Sequence, residues 1–155
     1  MPSDHFYSRL SHSLGAGGLR LVGKLNVPLY RLTRGRVGGR VGRAPVLLLS
    51  TTGRKSGERR TAPVLYLEED EQISVINTNA GNTKVPAWSL NLDADPEAEI
   101  ELRGRRIPVR ARVAEGAERA ELWRRHNVQY AGFDEYIEHL PDDRPVKVYV
   151  LDPRA

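Results

Sequence analysis

Two short stretches hold most of the side chains able to do chemistry. The first is Thr51-Thr52-Gly53-Arg54-Lys55-Ser56-Gly57, followed closely by Arg59 and Arg60. It sets four cations within seven positions between glycines that let a turn point its amides inward, and arginine can take a phosphate with two parallel bonds. The chemistry expected is anion binding. The GxxxxGK[ST] spacing of a P-loop is absent, and a solvated basic hairpin tip is the plain alternative. The second stretch is Asn77-Thr78-Asn79-Ala80-Gly81, then Pro86-Ala87-Trp88-Ser89-Leu90-Asn91-Leu92. Amide and hydroxyl groups beside a large aromatic can hold a polar heterocycle, while Trp88 reads equally well as ordinary core. A third set, Tyr130, Phe133 and Tyr136, repeats aromatics at intervals of three, which suits either a pocket mouth or packing onto a sheet.

Other chemistries are excluded or weak. The 155 residues contain no cysteine, so disulfides, thiolate nucleophiles and cysteine-held metals are ruled out. The four histidines show no HExxH spacing, and His126, on a helix, is expected at the surface or in a supporting role. No nucleophile and base stand out as a pair, so a bound coenzyme would carry the difficult step. Apolar residues are 39% and charged residues 28%, the balance of a soluble globular chain. No apolar run approaches the ~20 residues that span a bilayer. Gly, Lys and Arg interrupt Leu14–Tyr30, which argues against a secretory signal; a transit peptide is the weaker alternative. The expected location is the cytoplasm.

Charge is unevenly spread. Residues 1–57 carry ten Lys or Arg and one acid, Asp4, whereas the remainder carries nineteen acids against fourteen bases. The front third therefore sets up a positive field suited to a polyanion. Nucleic acid ranks last as its partner, because stacking aromatics and a known binding motif are missing.

The elements that must position these residues follow from pattern. Residues 1–43 read as a basic front segment, with a helix over Leu19–Leu32 and a flexible Gly35–Gly42 linker; a peripheral membrane contact through it stays open. Residues 44–155 read as the main domain. Strands are expected at Val46–Ser50, Thr61–Leu67, Gln72–Asn77 and Pro145–Leu151, with a short helix over Pro86–Ala94. Glu97–Leu102 and Arg105–Val113 form a hairpin about Arg103–Gly104, opposing Ile100 to Ile107, Ala98 to Val109, Glu101 to Arg106 and Glu97 to Arg110. Pro108 points to an edge strand or bulge. Glu115–Tyr130 is a helix with Ala120, Trp123 and Tyr130 near one stripe, and Asp134–Leu140 adds a helical turn. The fold expected is α+β: an antiparallel split β-barrel with short flanking helices.

Leu47–Gly57, Arg60-Thr61-Ala62-Pro63 and Pro86-Ala87-Trp88 with Asn91-Leu92 resemble the deazaflavin (coenzyme F420)-dependent nitroreductase family of actinobacteria, over roughly Gly35–Leu151. The resemblance implies a barrel of the flavin-reductase type, binding a deazaflavin with a ribityl phosphate and a lactyl-oligoglutamate tail. It implies hydride transfer from the reduced coenzyme to a quinone, nitro compound or other activated hydrophobic acceptor. Phosphate and tail contacts would fall on Arg54, Lys55, Ser56 and Arg60. Ring-side contacts would fall on Thr61, Ala62, Pro63, Val64, Leu65, Ile76, Asn77, Thr78, Asn79, Ala87, Trp88, Ser89, Leu90 and Asn91. Tyr130, Phe133 and Tyr136 would face the acceptor. Phe133 stands where the family has a tyrosine, and phenylalanine donates no proton. Two other readings remain: a flavin mononucleotide (FMN) reductase on the same barrel, or a non-catalytic deazaflavin carrier or peripheral membrane protein. The sequence carries no signal for oligomeric state.

Overall fold

The computed structural model describes residues 27–41, 44–78, 83–130, 132–138 and 140–154. Residues 27–32 are the described part of helix α1. The strands are β1 (Arg40–Val41), β2 (Ala44–Thr52), β3 (Arg59–Leu65), β4 (Leu67–Glu69), β5 (Gln72–Ile76), β6 (Glu97–Leu102), β7 (Arg105–Val113) and β8 (Val148–Pro153). The later helices are α2 (Ala87–Ala94), α3 (Gly116–Gln129) and α4 (Gly132–Glu138).

All pairings are antiparallel, in the order β1-β2-β6-β7-β8-β5-β4, and β3 pairs with β2. Only Tyr66 separates β3 from β4, so one bent run of chain serves β2 at one end and β5 at the other. That run closes the sheet into a split barrel. Period-two alternation fills the interior: Leu47 and Leu49, Val64 and Tyr66, Ile73 and Val75, Ile100 and Leu102, Val109 and Ala111, Tyr149 and Leu151 form one buried cluster with Leu92 of α2. The opposite face of β2 offers Val46 and Leu48 to Tyr30 and Val27 of α1. β2 is thus covered on both faces, which is why it reads as an unbroken apolar run. A second outer cluster joins Ile76, Val148 and Val150 to Leu122, Tyr130, Phe133 and Tyr136 of the α3–α4 region.

The hairpin register matches the sequence expectation pair for pair. Arg103 (φ 51°) and Gly104 (φ 74°) both take the left-handed conformation of a type I′ turn, whose twist suits the flanking strands. The edge expected at Pro108 is not found, because β7 lies between β6 and β8. Pro108 sits one residue before the β7–β8 pairing begins, and its carbonyl accepts from Arg154 N–H at 2.9 Å. Its missing N–H faces the same side, so only the return bond to Arg154, at the very end of the β7–β8 ladder, is forgone.

The linker expected at Gly35–Gly42 is also revised. Gly35 N–H donates to Tyr30 O at 2.8 Å, Val46 N–H donates to Gly39 O at 2.8 Å, and Arg40 and Val41 form β1. Tyr30 is 3% exposed, and its hydroxyl donates to Val46 O (2.9 Å) and Glu101 O (3.1 Å). Arg31 grips the Glu101 carboxylate beside it at 2.8 Å. The described part of the front segment is docked on the barrel. Its residues 1–26, 42 and 43 lie outside the described residues.

His126 departs furthest from expectation. It is fully buried, with Nε2 and Ser74 Oγ 2.9 Å apart and Phe133 meeting the ring edge-on. The buried face of α3 is Leu122 and His126, with Ala120 in solvent. Burial drives the imidazole pKa down to about 4. The ring is neutral in both states above pH 6.5; as pH falls from 6.5 towards 4, the unfolded chain takes a proton that the native chain refuses. We expect about 3 kcal/mol of stability to be lost across that window. Urea unfolding at a series of pH values should show this slope in the wild type and a flatter one in His126→Gln.

Candidate functional site

The glycine-flanked turn joins β2 to β3. Gly53 N–H donates to Glu58 O (2.7 Å), Gly57 N–H donates to Gly53 O (2.8 Å), and Ser56 Oγ accepts from Glu58 N–H (3.1 Å). A Cβ on Gly53 would stand 2.6 Å from Ser56 Oγ, so this tight path needs glycine there. Arg54, Lys55, Ser56 and Arg60 are exposed. Arg59 and Arg60 pair with Glu99 (2.7 Å) and Glu58 (3.1 Å), exposed contacts worth little in water. Among the described residues Arg54 and Lys55 have no carboxylate partner.

The two sequence stretches meet at one side chain. Asn91, 2% exposed on α2, accepts from Arg54 N–H through Oδ1 at 3.0 Å and donates from Nδ2 to Thr51 Oγ1 at 3.0 Å. One turn earlier, Trp88 is half-buried against the interior cluster and meets Tyr149 edge-on at 5.6 Å. The cationic turn is therefore fixed to the helix that carries the tryptophan.

A second network anchors the start of α2. Asn77 uses every polar group: its N–H donates to Lys147 O (3.2 Å), Oδ1 accepts from Lys147 N–H (2.7 Å), Nδ2 donates to Ser89 Oγ (2.9 Å), and its carbonyl accepts from Arg144 (2.7 Å). Ser89 Oγ in turn lies 2.6 Å from the Tyr149 hydroxyl, which donates to Asp93 Oδ1 at 2.9 Å. Burial above all raises the Tyr149 phenol above its ordinary pKa; the Ser89 hydrogen bond opposes this and the Asp93 carboxylate adds to it, so it stays protonated.

The barrel is split where the β4–β5 pairing is not continued into β3, and that unpaired gap forms a slot. β4 pairs with β5 through Leu67–Ser74, Glu68–Ile73 and Glu69–Gln72. Continuing that register would oppose Leu65 to Ile76 and Pro63 to Thr78, but the pairing stops. Tyr66 N–H and Glu58 O both bond towards β2, so the intervening odd-numbered residues Thr61, Pro63 and Leu65 turn their backbone groups to the open edge. Proline is tolerated on such an edge.

These contacts sort the expected residues. Ser89, Asn77 and Asn91 are buried with their side-chain polar atoms engaged inside the protein. Val64 belongs to the interior cluster; Ile76 and Thr78 are buried. Thr61, Ala62, Pro63, Leu65, Trp88 and Leu90 are partly accessible, and Ala87 is exposed. Asn79 lies outside the described residues. Tyr130, Phe133 and Tyr136 are 0%, 2% and 5% exposed, and the two tyrosine hydroxyls lie 2.8 Å apart. They share a cluster with Ile76 and Leu65, so here they back the slot rather than line an open mouth. Reading the sequence missed Tyr149 and Arg144. The alternation of the last strand places Tyr149 inward; nothing marks Arg144.

A split barrel with a cationic turn, a half-buried tryptophan and an unpaired strand edge, whose one close hydroxyl–imidazole contact described above, Ser74–His126, is sealed from solvent, suits an oxidoreductase that borrows its reactive atoms. The comparisons agree. Residues 22–153 match the model of the F420H(2)-dependent quinone reductase family, and the chain belongs to that family. A putative F420H(2)-dependent quinone reductase of Mycobacterium tuberculosis is 38% identical over 110 residues, 71% of this chain and 91% of that protein. Another M. tuberculosis F420H(2)-dependent quinone reductase is 33% identical over 141 residues, 88% of this chain and 93% of the relative. Among solved structures, an F420-H2 dependent reductase superposes with a TM-score of 0.63 at 30% identity, covering 70% of this chain and 94% of that one. A structure described as a domain-swapped dimer gives 0.64 at 27% identity, covering 83% and 96%. The coenzyme of the family is F420 and its activity is reduction of a quinone. No helix among the described residues is long and apolar enough to cross a membrane.

Asn91→Ala would leave the Arg54 N–H and the Thr51 hydroxyl without partners. A loss of about 2 kcal/mol is expected from one buried and one part-buried bond, to be measured as a fall in the urea midpoint at unchanged slope.

Proposed function

We propose that the open edge of β3 and the N-terminal half of α2 hold the deazaflavin ring, and that Arg54 and Lys55, with Arg60, hold its phosphate and acidic tail. The observation that carries this reading is the Asn91 bridge, which fixes the cationic turn to the helix bearing Trp88. The donor set fits the group. The backbone N–H and C=O of Thr61 and Leu65, with the C=O of Pro63, match the alternating polar edge of a pyrimidinedione-type ring, Trp88 and Leu90 offer apolar cover, and two cations without a carboxylate partner among the described residues match a polyanion. Bound in its reduced form, the coenzyme supplies a hydride. The chain's part is to fix the donor face, keep water from it, and leave room for a flat hydrophobic acceptor such as a quinone. FMN offers only one phosphate and leaves the tail cations without a role.

Reduced F420 should bind with a dissociation constant below about 100 μM, or about −5.5 kcal/mol, and the loaded protein should reduce menadione. Binding weaker than that, or tighter binding of FMN, would discard the reading. Lys55→Ala and Arg60→Ala should each weaken F420 binding, more at low salt than at high, because unscreened charges attract more strongly. Wild-type affinities at low salt would remove these cations from the site.

A peripheral membrane contact through the front segment has separate support. Leu29, Leu32 and Val37 are 43%, 83% and 45% exposed among Arg31, Arg34 and Arg36. Basic residues flanking exposed apolar ones suit an anionic lipid surface. Sedimentation with anionic vesicles should carry down the wild type and less of Leu29→Ser/Leu32→Ser; equal pelleting removes the contact.

A further inference from the structure

Arg144 is 8% exposed, yet among the described residues it pairs with no carboxylate. Its guanidinium bonds only to main-chain carbonyls: Nη2 to Asn77 O (2.7 Å) and Lys84 O (3.2 Å), and Nη1 to Pro145 O (2.9 Å). Nε is buried with no partner. Buried charges are ordinarily paired, because leaving water costs several kcal/mol per ion. Burial lowers the pKa of this guanidinium, but arginine stays charged in proteins. The interaction bought here is geometric: a planar fork reaches three carbonyls at once, which an ammonium on a lysine stem matches poorly.

Those carbonyls sit at telling places. Asn77 O follows directly on β5, and Lys84 O lies two residues before Pro86, where α2 begins. One nitrogen thus fixes the distance between the end of β5 and the entry to α2. The Asn77 side chain then reaches Ser89 in the first turn of α2. Trp88 and Asn91 ride on that helix, so the position of the tryptophan and the attachment of the cationic turn both depend on this clamp.

We propose that Arg144 is a positioning residue for the ring side of the coenzyme site, acting through Asn77 and α2 without touching the coenzyme. The proposal rests on the reading that the ring lies between β3 and α2. It predicts a particular signature: removing Arg144 loosens the grip on the ring, whereas removing Lys55 loosens the grip on the tail.

The test uses the full chain and two probes, whole coenzyme F420 and its ring–ribityl fragment, which lacks phosphate and tail. Dissociation constants for both are measured by fluorescence titration for wild type, Arg144→Met, Arg144→Lys, Lys55→Ala and Leu122→Ala. Arg144→Met should weaken both probes by the same factor, about tenfold, the size of one charge-assisted hydrogen bond. Lys55→Ala should weaken only the whole coenzyme. Leu122→Ala, in the outer cluster, should lower the melting temperature and leave both constants unchanged, which separates positioning from general loss of stability. Arg144→Lys keeps the charge without the fork and should weaken both probes about threefold or more by the same reasoning; it carries the test if the methionine variant does not fold. Fragment affinity within twofold of wild type in whichever Arg144 variant folds, or a loss confined to the whole coenzyme, overturns the proposal. Failure of the wild type to bind either probe overturns the coenzyme reading itself, and the proposal with it.

Discussion

A strand has two edges, and the run from Arg59 to Glu69 must serve a different partner at each end. It lies against β2 as far as Leu65, bends at Tyr66, and lies against β5 from Leu67. The bend closes the barrel and also leaves it incomplete, because the edge of β3 that turns away from β2 has lost the chance to pair. An exposed strand edge is ordinarily a hazard that invites other chains. Here the β5 end of the sheet stands near it, and Thr61, Pro63 and Leu65 of the candidate site lie along it. The slot follows from the topology before any side chain is considered.

Around that edge the protein keeps apart the tasks of framing and contact. Asn77, Ser89 and Asn91 carry the hydrogen bonds that fix the frame, and their burial leaves them no spare capacity. Arg54 and Lys55 carry no structural bond through their side chains among the described residues. Exposed cations of this kind are held loosely and remain free to take a charged partner. The acid-poor front of the chain serves the same end: a carboxylate close to the turn would compete for those cations, as Glu58 and Glu99 already do for Arg60 and Arg59.

Much of this was legible in the residues. The β6–β7 hairpin could be read to the register because alternation, charge pairing and a two-residue turn all specify one answer. Pro108 misled because proline is tolerated where a ladder ends as well as on an edge strand, and β7 meets β8 only from Val109 onward. The glycine-rich stretch before β2 reads as a linker from composition, but Tyr30 and Arg31 dock it through bonds to Glu101, 71 and 70 residues away in sequence. Histidine was counted as polar, which rotated the apparent face of α3; only the fold shows Ser74 waiting opposite His126. The meeting of the two chemical motifs at Asn91, and the placing of Arg144, depend on loops whose paths no local pattern dictates.

On the proposed reading, in which the ring meets the open edge of β3, there is a consequence for how relatives of this protein should be compared. A contact made by main-chain amides and carbonyls does not depend on which letters occupy those positions, provided the strand keeps its path. Thr61 and Leu65 could be exchanged for other residues over evolutionary time and the pattern of donors and acceptors would persist. Alignments scored on side-chain identity would then understate how far the recognition surface is shared, and superposed backbones would be the better measure of kinship at this site.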